Sequence, residues 1–164
     1  MSVATALIAE LKHESALTRK MLERVPMDKA DWKPHPKSMS IGRLATHIAE
    51  NTGWISEVLG ADEYDFMARG FQSHTAASSE ELLGIFQDKL DKAIADLEAA
   101  DTEQFDRNWT VKRGEQVVYQ LPKKAAIRGW SINHNIHHRG QLSVFLRLLD
   151  VPVPGMYGPS ADER

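Results

Sequence analysis

Residues 122–149 read PKKAAIRGWSINHNIHHRGQLSVFLRLL, and their spacing predicts one long helix. Proline suits a first helical turn because its missing N–H would have no partner there. Asp150-Val-Pro-Val-Pro-Gly closes the run. Ile127, Ser131, His134, His138, Leu142 and Phe145 recur at helical intervals and form one stripe, with Trp130 beside it. The motif Asn133-His134-Asn135-Ile136-His137-His138-Arg139-Gly140-Gln141 places three histidines in five residues. At 3.6 residues per turn, His134 and His138 lie about 40° apart around the axis and roughly 6 Å apart along it. Both imidazoles then reach one ion from one face. Two imidazoles on a buried face are costly unless something satisfies their inward nitrogens. Imidazole is also the commonest protein metal ligand, and such a pair supplies two of the three protein ligands of an open catalytic site. His137 lies within reach of His134 as well. Helix phase favours His138 and leaves His137 bordering the stripe, beside the site or on the surface.

Working outward, most of the chain keeps the same period. A first helix is expected over residues 2–24, with Leu7, Leu11, Ala16, Leu17, Met21 and Leu22 as its stripe and Pro26 as its stop. Residues 27–39 carry Pro34 and Pro36 and form an irregular connector. Ser40 caps a second helix reaching Leu59, closed by Gly60, whose inward face is Ile41, Leu44, His47, Ile48, Asn51, Ile55 and Val58. Residues 61–77 have no clean period and are expected to be a loop. Ser78 and Glu81 make a capping box for a third helix ending near Ala100, with Leu82, Leu83, Phe86, Leu90, Ile94 and Leu97 on one side. Between it and the fourth helix, Trp109-Thr-Val and Val117-Val-Tyr flank Lys112-Arg-Gly-Glu, a short hairpin. The fold class expected is all-α: a four-helix bundle with a short β-hairpin or extended insertion between helices 3 and 4, one domain over residues 1–164.

The composition sets limits on function. A net charge of −3 gives no general attraction to nucleic acid or to an anionic membrane. No apolar run approaches the ~18–20 residues of a membrane span, and no leader pattern opens the chain. With no cysteine, any metal must sit on nitrogen or oxygen ligands, and a cytoplasmic location is the expectation.

A third ligand has to come from another helix. His47 lies between Leu44 and Ile48 on an apolar face, where an imidazole is out of place without a partner. His35 and His74 fall in loops, and His13 follows Glu10 in an E-x-x-H spacing. A di-iron bundle needs two such elements; no other histidine has glutamate three residues before it. H-E-x-x-H, phosphate-cradling and nucleotide-binding motifs are absent, as is a G-x-S-x-G elbow. Glu50 and Asn51 stand near His47 as outer partners of the imidazole. Arg139 and Gln141 are candidates to orient substrate or cap backbone. Trp54, Trp130 and Tyr157 are candidates for core packing or a pocket wall.

Four segments together resemble the DinB-like (DinB/YfiT-like) family of bacterial metalloenzymes. They are Trp32-Lys-Pro-His-Pro-Lys-Ser-Met-Ser-Ile-Gly, Leu44-Ala-Thr-His47-Ile, Asn133-His-Asn-Ile-His-His-Arg-Gly-Gln-Leu-Ser-Val-Phe-Leu-Arg, and Val151-Pro-Val-Pro-Gly-Met-Tyr-Gly-Pro-Ser. The third is the most specific. The resemblance implies a bundle of four helices, often a homodimer, with a divalent metal (nickel, zinc, manganese or iron) on three histidines. By position these are His47, His134 and His138. It also implies transfer of a low-molecular-weight thiol to an electrophile, with a small molecule as substrate. Metal-hydroxide hydrolysis, and a non-enzymatic metal-binding stress-response protein, are the alternatives. The thiol and the electrophile stay open.

Overall fold

Ser2 opens the first helix. Its hydroxyl oxygen accepts a hydrogen bond from the Thr5 amide, and α1 runs Val3–Leu22 in the computed structural model, which describes residues 2–69 and 73–163. Leu7, Leu11, Leu17, Met21 and Leu22 are buried as expected. Ala16 is exposed instead, and Ser15 and Thr18 take the inward positions. Thr18 satisfies its hydroxyl on the Glu14 carbonyl at 2.9 Å, so a polar residue is tolerated there.

After a short 3₁₀ turn at Met27–Lys29, the connector folds back so that the amides of Ile41 and Gly42 donate to the carbonyls of Trp32 and Ala30. Ser40 caps α2, Ile41–Glu50. The chain then tightens to i→i+3 hydrogen bonds at Asn51–Thr52 and continues as α3, Gly53–Gly60. The expected single second helix is therefore interrupted. Asn51 and Thr52 compete for backbone hydrogen bonds, and Gly53 is a weak helix former.

Gly42 is required by close approach. A Cβ there would sit 2.8 Å from the Ala30 Cβ and 3.0 Å from the Ala30 carbonyl oxygen. Gly42→Ala is expected to lose about 1–3 kcal/mol, as overpacking does, seen as a lower urea midpoint at unchanged m-value. Gly84→Ala, on the exposed side of the third long helix with nothing within 4 Å, is expected to gain about 1 kcal/mol from helix propensity. A loss of the same size at both positions would remove the packing explanation.

Residues expected to be a loop instead hold β1, Glu63–Asp65, and α4, Phe66–Arg69; residues 70–72 of that segment lie outside the described ones. The Ser78 hydroxyl accepts from the Glu81 amide and starts α5, Ser79–Ala99. Glu81 completes the cap on the Ala77 amide at 2.7 Å. The hairpin forms as β2, Asn108–Arg113, and β3, Gln116–Pro122, turning at Gly114 with φ 60°. β1 adds to β2 in parallel, Glu63 opposite Thr110, giving the order β1-β2-β3. Trp109 and Val111 point into the core. A bare hairpin is marginal in water. The third strand and this packing hold it.

The last helical run begins as α6, Lys123–Ile127, passes through a π-helical segment, Arg128–Asn133, and ends as α7, His134–Leu148. Lys123 is buried, with its ammonium on the Ala61 carbonyl at 2.9 Å and on Asp62 at 2.8 Å. This fastens the end of α3 to the start of α6. The π segment inserts extra residues in one turn and rotates everything after it. Of the expected stripe, Ile127, Ser131, His138 and Leu142 are buried, while His134 and Phe145 are only half-buried; Ile132, Asn135, Arg139 and Leu146 are buried beside them. The fold is thus mostly helical with a small three-stranded sheet, not four unbroken helices and a hairpin. No helix among the described residues is long and apolar enough to cross a membrane.

Two apolar clusters make up the core. One joins α1, α3 and the second half of α5 to the sheet and the π segment. The other joins the end of α1 to α2, the first half of α5 and the second half of α7. Ile132 belongs to the first and Leu142 to the second, so His134 and His138 sit where the clusters meet.

Candidate metal centre

His47, His134 and His138 come together, each offering a ring nitrogen within 4.8 Å of the others. His47 is delivered by α2, whose neighbouring Leu44 and Ile48 are fully buried. The Asn135 amide, next to His134, donates to the carbonyl of Ile48, next to His47, at 3.4 Å and ties the two helices at the site. His134 and His47 remain half-buried, and His138 is 9% exposed.

The ring orientations carry the chemistry. His134 Nδ1 lies 3.3 Å from the Trp130 carbonyl oxygen, and His138 Nδ1 lies 2.8 Å from the Gln141 amide oxygen. Both partners only accept, so both Nδ1 atoms carry the proton and both Nε2 atoms present lone pairs. Those Nε2 atoms face each other at 2.8 Å, and His47 Nε2 lies 3.4 Å from that of His134. Converging lone pairs repel unless a cation sits between them. With metal–nitrogen bonds of about 2.0–2.1 Å, ligand nitrogens stand about 3.4 Å apart at tetrahedral angles and about 2.9 Å apart at right angles. The donor set fits a divalent ion.

A proton is a poor substitute for that ion. Burial, then the neighbouring His138 and His134, then Arg43 push the His47 imidazole from its usual 6.5 down to about 4. His134 and His138 are also held below their ordinary value, chiefly by burial. Between about pH 6.5 and pH 4 the unfolded chain therefore binds more protons than the metal-free folded one, and stability falls as the pH drops through that window. Urea midpoints of metal-free protein are expected to fall from about pH 7 to about pH 5, more steeply than those of His47→Gln. Parallel curves would remove His47 as the source.

The other histidines are placed elsewhere. His137 is exposed, its Nε2 3.0 Å from the Gln141 amide nitrogen. His35 accepts from the Lys37 amide, His74 pairs with Glu81 at 2.9 Å, and His13 is exposed. The expected outer partners of His47 take different roles. Glu50 binds Arg43 at 2.9 Å, and the Asn51 side chain, 1% exposed, makes no hydrogen bond among the described residues.

A model of the DinB family matches residues 1–164. The chain belongs to the DinB family. It is 27% identical over 139 residues to the uncharacterized protein YjoA of Bacillus subtilis (strain 168), covering 84% of each chain. It is 23% identical over 150 residues to the uncharacterized protein YrdA of the same organism, covering 92% of this chain and 85% of that one. Among solved structures, a DinB-like protein from Bacillus cereus ATCC 10987 superposes with a TM-score of 0.68 at 21% identity, covering 89% of this chain and 92% of that one. The DinB-like YjoA of Bacillus subtilis superposes at 0.69 and 20%, covering 97% and 99%. These likenesses establish the DinB fold.

Within that fold, two candidates from the family motif part company. Gln141 contacts His138 of the cluster directly, whereas Arg139 turns away from it. Arg139 is 2% exposed, with its guanidinium on the Glu14 carboxylate at 2.6 Å, the Thr18 hydroxyl at 3.0 Å and the Tyr157 hydroxyl at 2.5 Å. Tyr157 in turn donates to Glu14 at 2.8 Å, so this group pins the C-terminal tail to α1 and α7. Trp54 and Trp130 stack edge-on at 5.3 Å within an aromatic group that includes Trp109. An added Cβ at Gly140 would meet nothing within 4 Å, so close packing does not explain that glycine. The Trp130 carbonyl was invisible to sequence reasoning because any residue supplies one. Gln141 was visible by its i+3 spacing from His138, but spacing alone does not say what the amide holds.

Proposed function

We propose that this protein is a divalent-metal-dependent enzyme that holds its ion on His47, His134 and His138 and transfers a low-molecular-weight thiol to an electrophile. The observation carrying the metal is the convergence of Nε2 lone pairs whose Nδ1 partners are already engaged. The chain has no cysteine of its own, which is compatible with a sulfur nucleophile that arrives with a cosubstrate. When bound, a divalent ion stabilises a thiolate or lowers the pKa of a bound water to around 7.

The chain's own groups do the rest. Three imidazoles bind, and the Trp130 carbonyl and the Gln141 amide hold two of them in one tautomer. Arg43, one turn before His47, is held by the His74 carbonyl and paired with the Glu50 carboxylate. In this reading the helices act together as one bundle-like domain over residues 1–164 and pair as a homodimer, which light scattering of the eluted protein would measure.

The activity test uses tag-free protein loaded with nickel, zinc or manganese, a panel of small thiols and a fluorogenic electrophile. Transfer is expected to vanish on chelation, return with metal and be lost in His47→Ala. Full activity in His47→Ala would end the proposal. Ester or amide cleavage with no thiol present would replace transfer by hydrolysis.

A further inference from the structure

The seam between α1 and α7 encloses polar groups that the histidine centre does not use. Thr52, at the break between α2 and α3, Ser131, in the π segment, and Asn135, in the first turn of α7, are 2%, 0% and 7% exposed. Thr52 Oγ1, Ser131 Oγ and Asn135 Oδ1 are shut off from solvent and make no hydrogen bond among the described residues. All three residues line one cavity in this seam. We infer that the cavity is a binding site for a single ordered water, which joins the α2–α3 break to the π segment and the start of α7.

A buried hydroxyl or amide without a partner carries the whole cost of leaving water, and native structures leave few groups in that state. Three around one cavity point to a shared partner. The space open to the centre of a water-sized sphere is about 10 Å³, and a single water needs about 10–15 Å³ on that measure. A larger ligand does not fit. The Asn135 amide nitrogen donates to the Ile48 carbonyl, which only accepts, so Oδ1 is the end left over and it takes a proton. The two hydroxyls each have a proton to give and lone pairs to offer. One water gives a proton to Oδ1 and bonds both hydroxyls whichever way they turn, three bonds in all, the usual number for a buried water. The three oxygens are neutral, and the nearby Arg139 guanidinium is already paired with Glu14 at 2.6 Å, so no net charge draws an ion instead.

The water stands beside the elements that carry two of the histidines. Asn135 follows His134, and its bond to the Ile48 carbonyl, next to His47, ties α7 to α2. A water on the same side chain extends that tie to Thr52, one turn beyond Ile48, and back to Ser131. It is independent of any ion on the histidines.

The alternative is a dry seam, with the hydroxyls turned onto carbonyls of their own helices. The full chain, Thr52→Val, and Thr52→Val combined with Ser131→Ala separate the two. A crystal structure of the parent is expected to show one water within about 3.2 Å of Thr52 Oγ1, Ser131 Oγ and Asn135 Oδ1. Oxygen-17 relaxation dispersion should count one long-lived water fewer in the double variant than in the parent. Threonine and valine match in shape and nearly in helix propensity, so Thr52→Val isolates the hydroxyl. With a water bonded to it, the folding equilibrium constant should fall about 2- to 10-fold, read as a lower urea midpoint at unchanged m-value. A bare hydroxyl predicts the opposite sign, because the substitution then removes an unmet group and breaks no bond. An unchanged or higher midpoint in Thr52→Val would overturn the proposal. So would a parent crystal without density at the three atoms, or equal water counts in parent and double variant.

Discussion

His134→Ala, purified without a chelator and without an affinity tag, is expected to carry less than about one tenth of the metal of the parent protein. His134 is the shared member of the cluster, 2.8 Å from His138 Nε2 and 3.4 Å from His47 Nε2. Its loss leaves two nitrogens, and two ligands on an otherwise open site hold a divalent ion weakly. Outer partners of metal-bound imidazoles are worth about 10- to 100-fold in affinity, and a ligand is worth at least as much. Elemental analysis reads the result directly. Misfolding is separated from ligand loss by the metal-free state. Removing one of the converging imidazoles relieves repulsion there, so the metal-free variant should unfold at a urea concentration no lower than the metal-free parent. Equal metal in parent and variant would exclude His134 as a ligand. No metal in either after exposure to nickel, zinc and manganese would make the histidines structural.

The second large effect lies at Arg139. Replacing it by leucine is expected to lower stability by about 3–5 kcal/mol, the range for removing one partner of a buried ion pair. For a chain of this size that corresponds to a fall in Tm of roughly 6–20 °C. The guanidinium is nearly enclosed, and its removal strands the Glu14 carboxylate, whose side chain is 14% exposed. The Thr18 and Tyr157 hydroxyls each lose one of their partners at the same time and keep their bonds to Glu14. Combining Arg139→Leu with Glu14→Leu should recover much of the loss, because apolar pairs often replace buried ion pairs at little cost. Tyr157→Phe keeps the ion pair and removes only hydrogen bonds, so about 1–2 kcal/mol is expected. A thermal scan showing less than about 1 kcal/mol for Arg139→Leu would mean that solvent reaches the pair and screens it.

Much of this was legible one element at a time. Ser40 and Ser78 each cap the helix they precede, because capping is a contact between a side chain and an amide three residues on. The inward face of α2 was readable for the same reason: Ile41, Leu44 and Ile48 repeat at the helical period and all are buried. The Lys112-Arg-Gly-Glu turn forms because Gly114 adopts a positive φ at no steric cost.

The errors share a cause. Residues 63–65 carry no strand period of their own and become β1 only because the edge of β2 offers hydrogen-bond partners from 45 or more positions away. Nothing local marks residues 128–133 as π-helical. Their geometry suits a helix that must place Ile132 in one core cluster and Leu142 in the other. Asn135, Arg139 and Leu146, outside the expected stripe, are buried as well as His138 and Leu142 within it, and Arg139, a candidate to orient substrate or cap backbone, is a buried tie to α1.

Sequence periodicity was enough to put His134 and His138 side by side, because an i, i+4 relation is enforced by the helix itself. It also marked His47 as an imidazole on an apolar face. That His47 Nε2 arrives 3.4 Å from His134 depends on α2 packing against α7 across 87 positions of sequence. The direction in which each ring presents its lone pair depends on a backbone carbonyl and an amide placed by folding. Short-range spacing specifies which side chains share a helix face, whereas the meeting of faces from distant helices, and the hydrogen bonds that turn their rings, are properties of the packed chain.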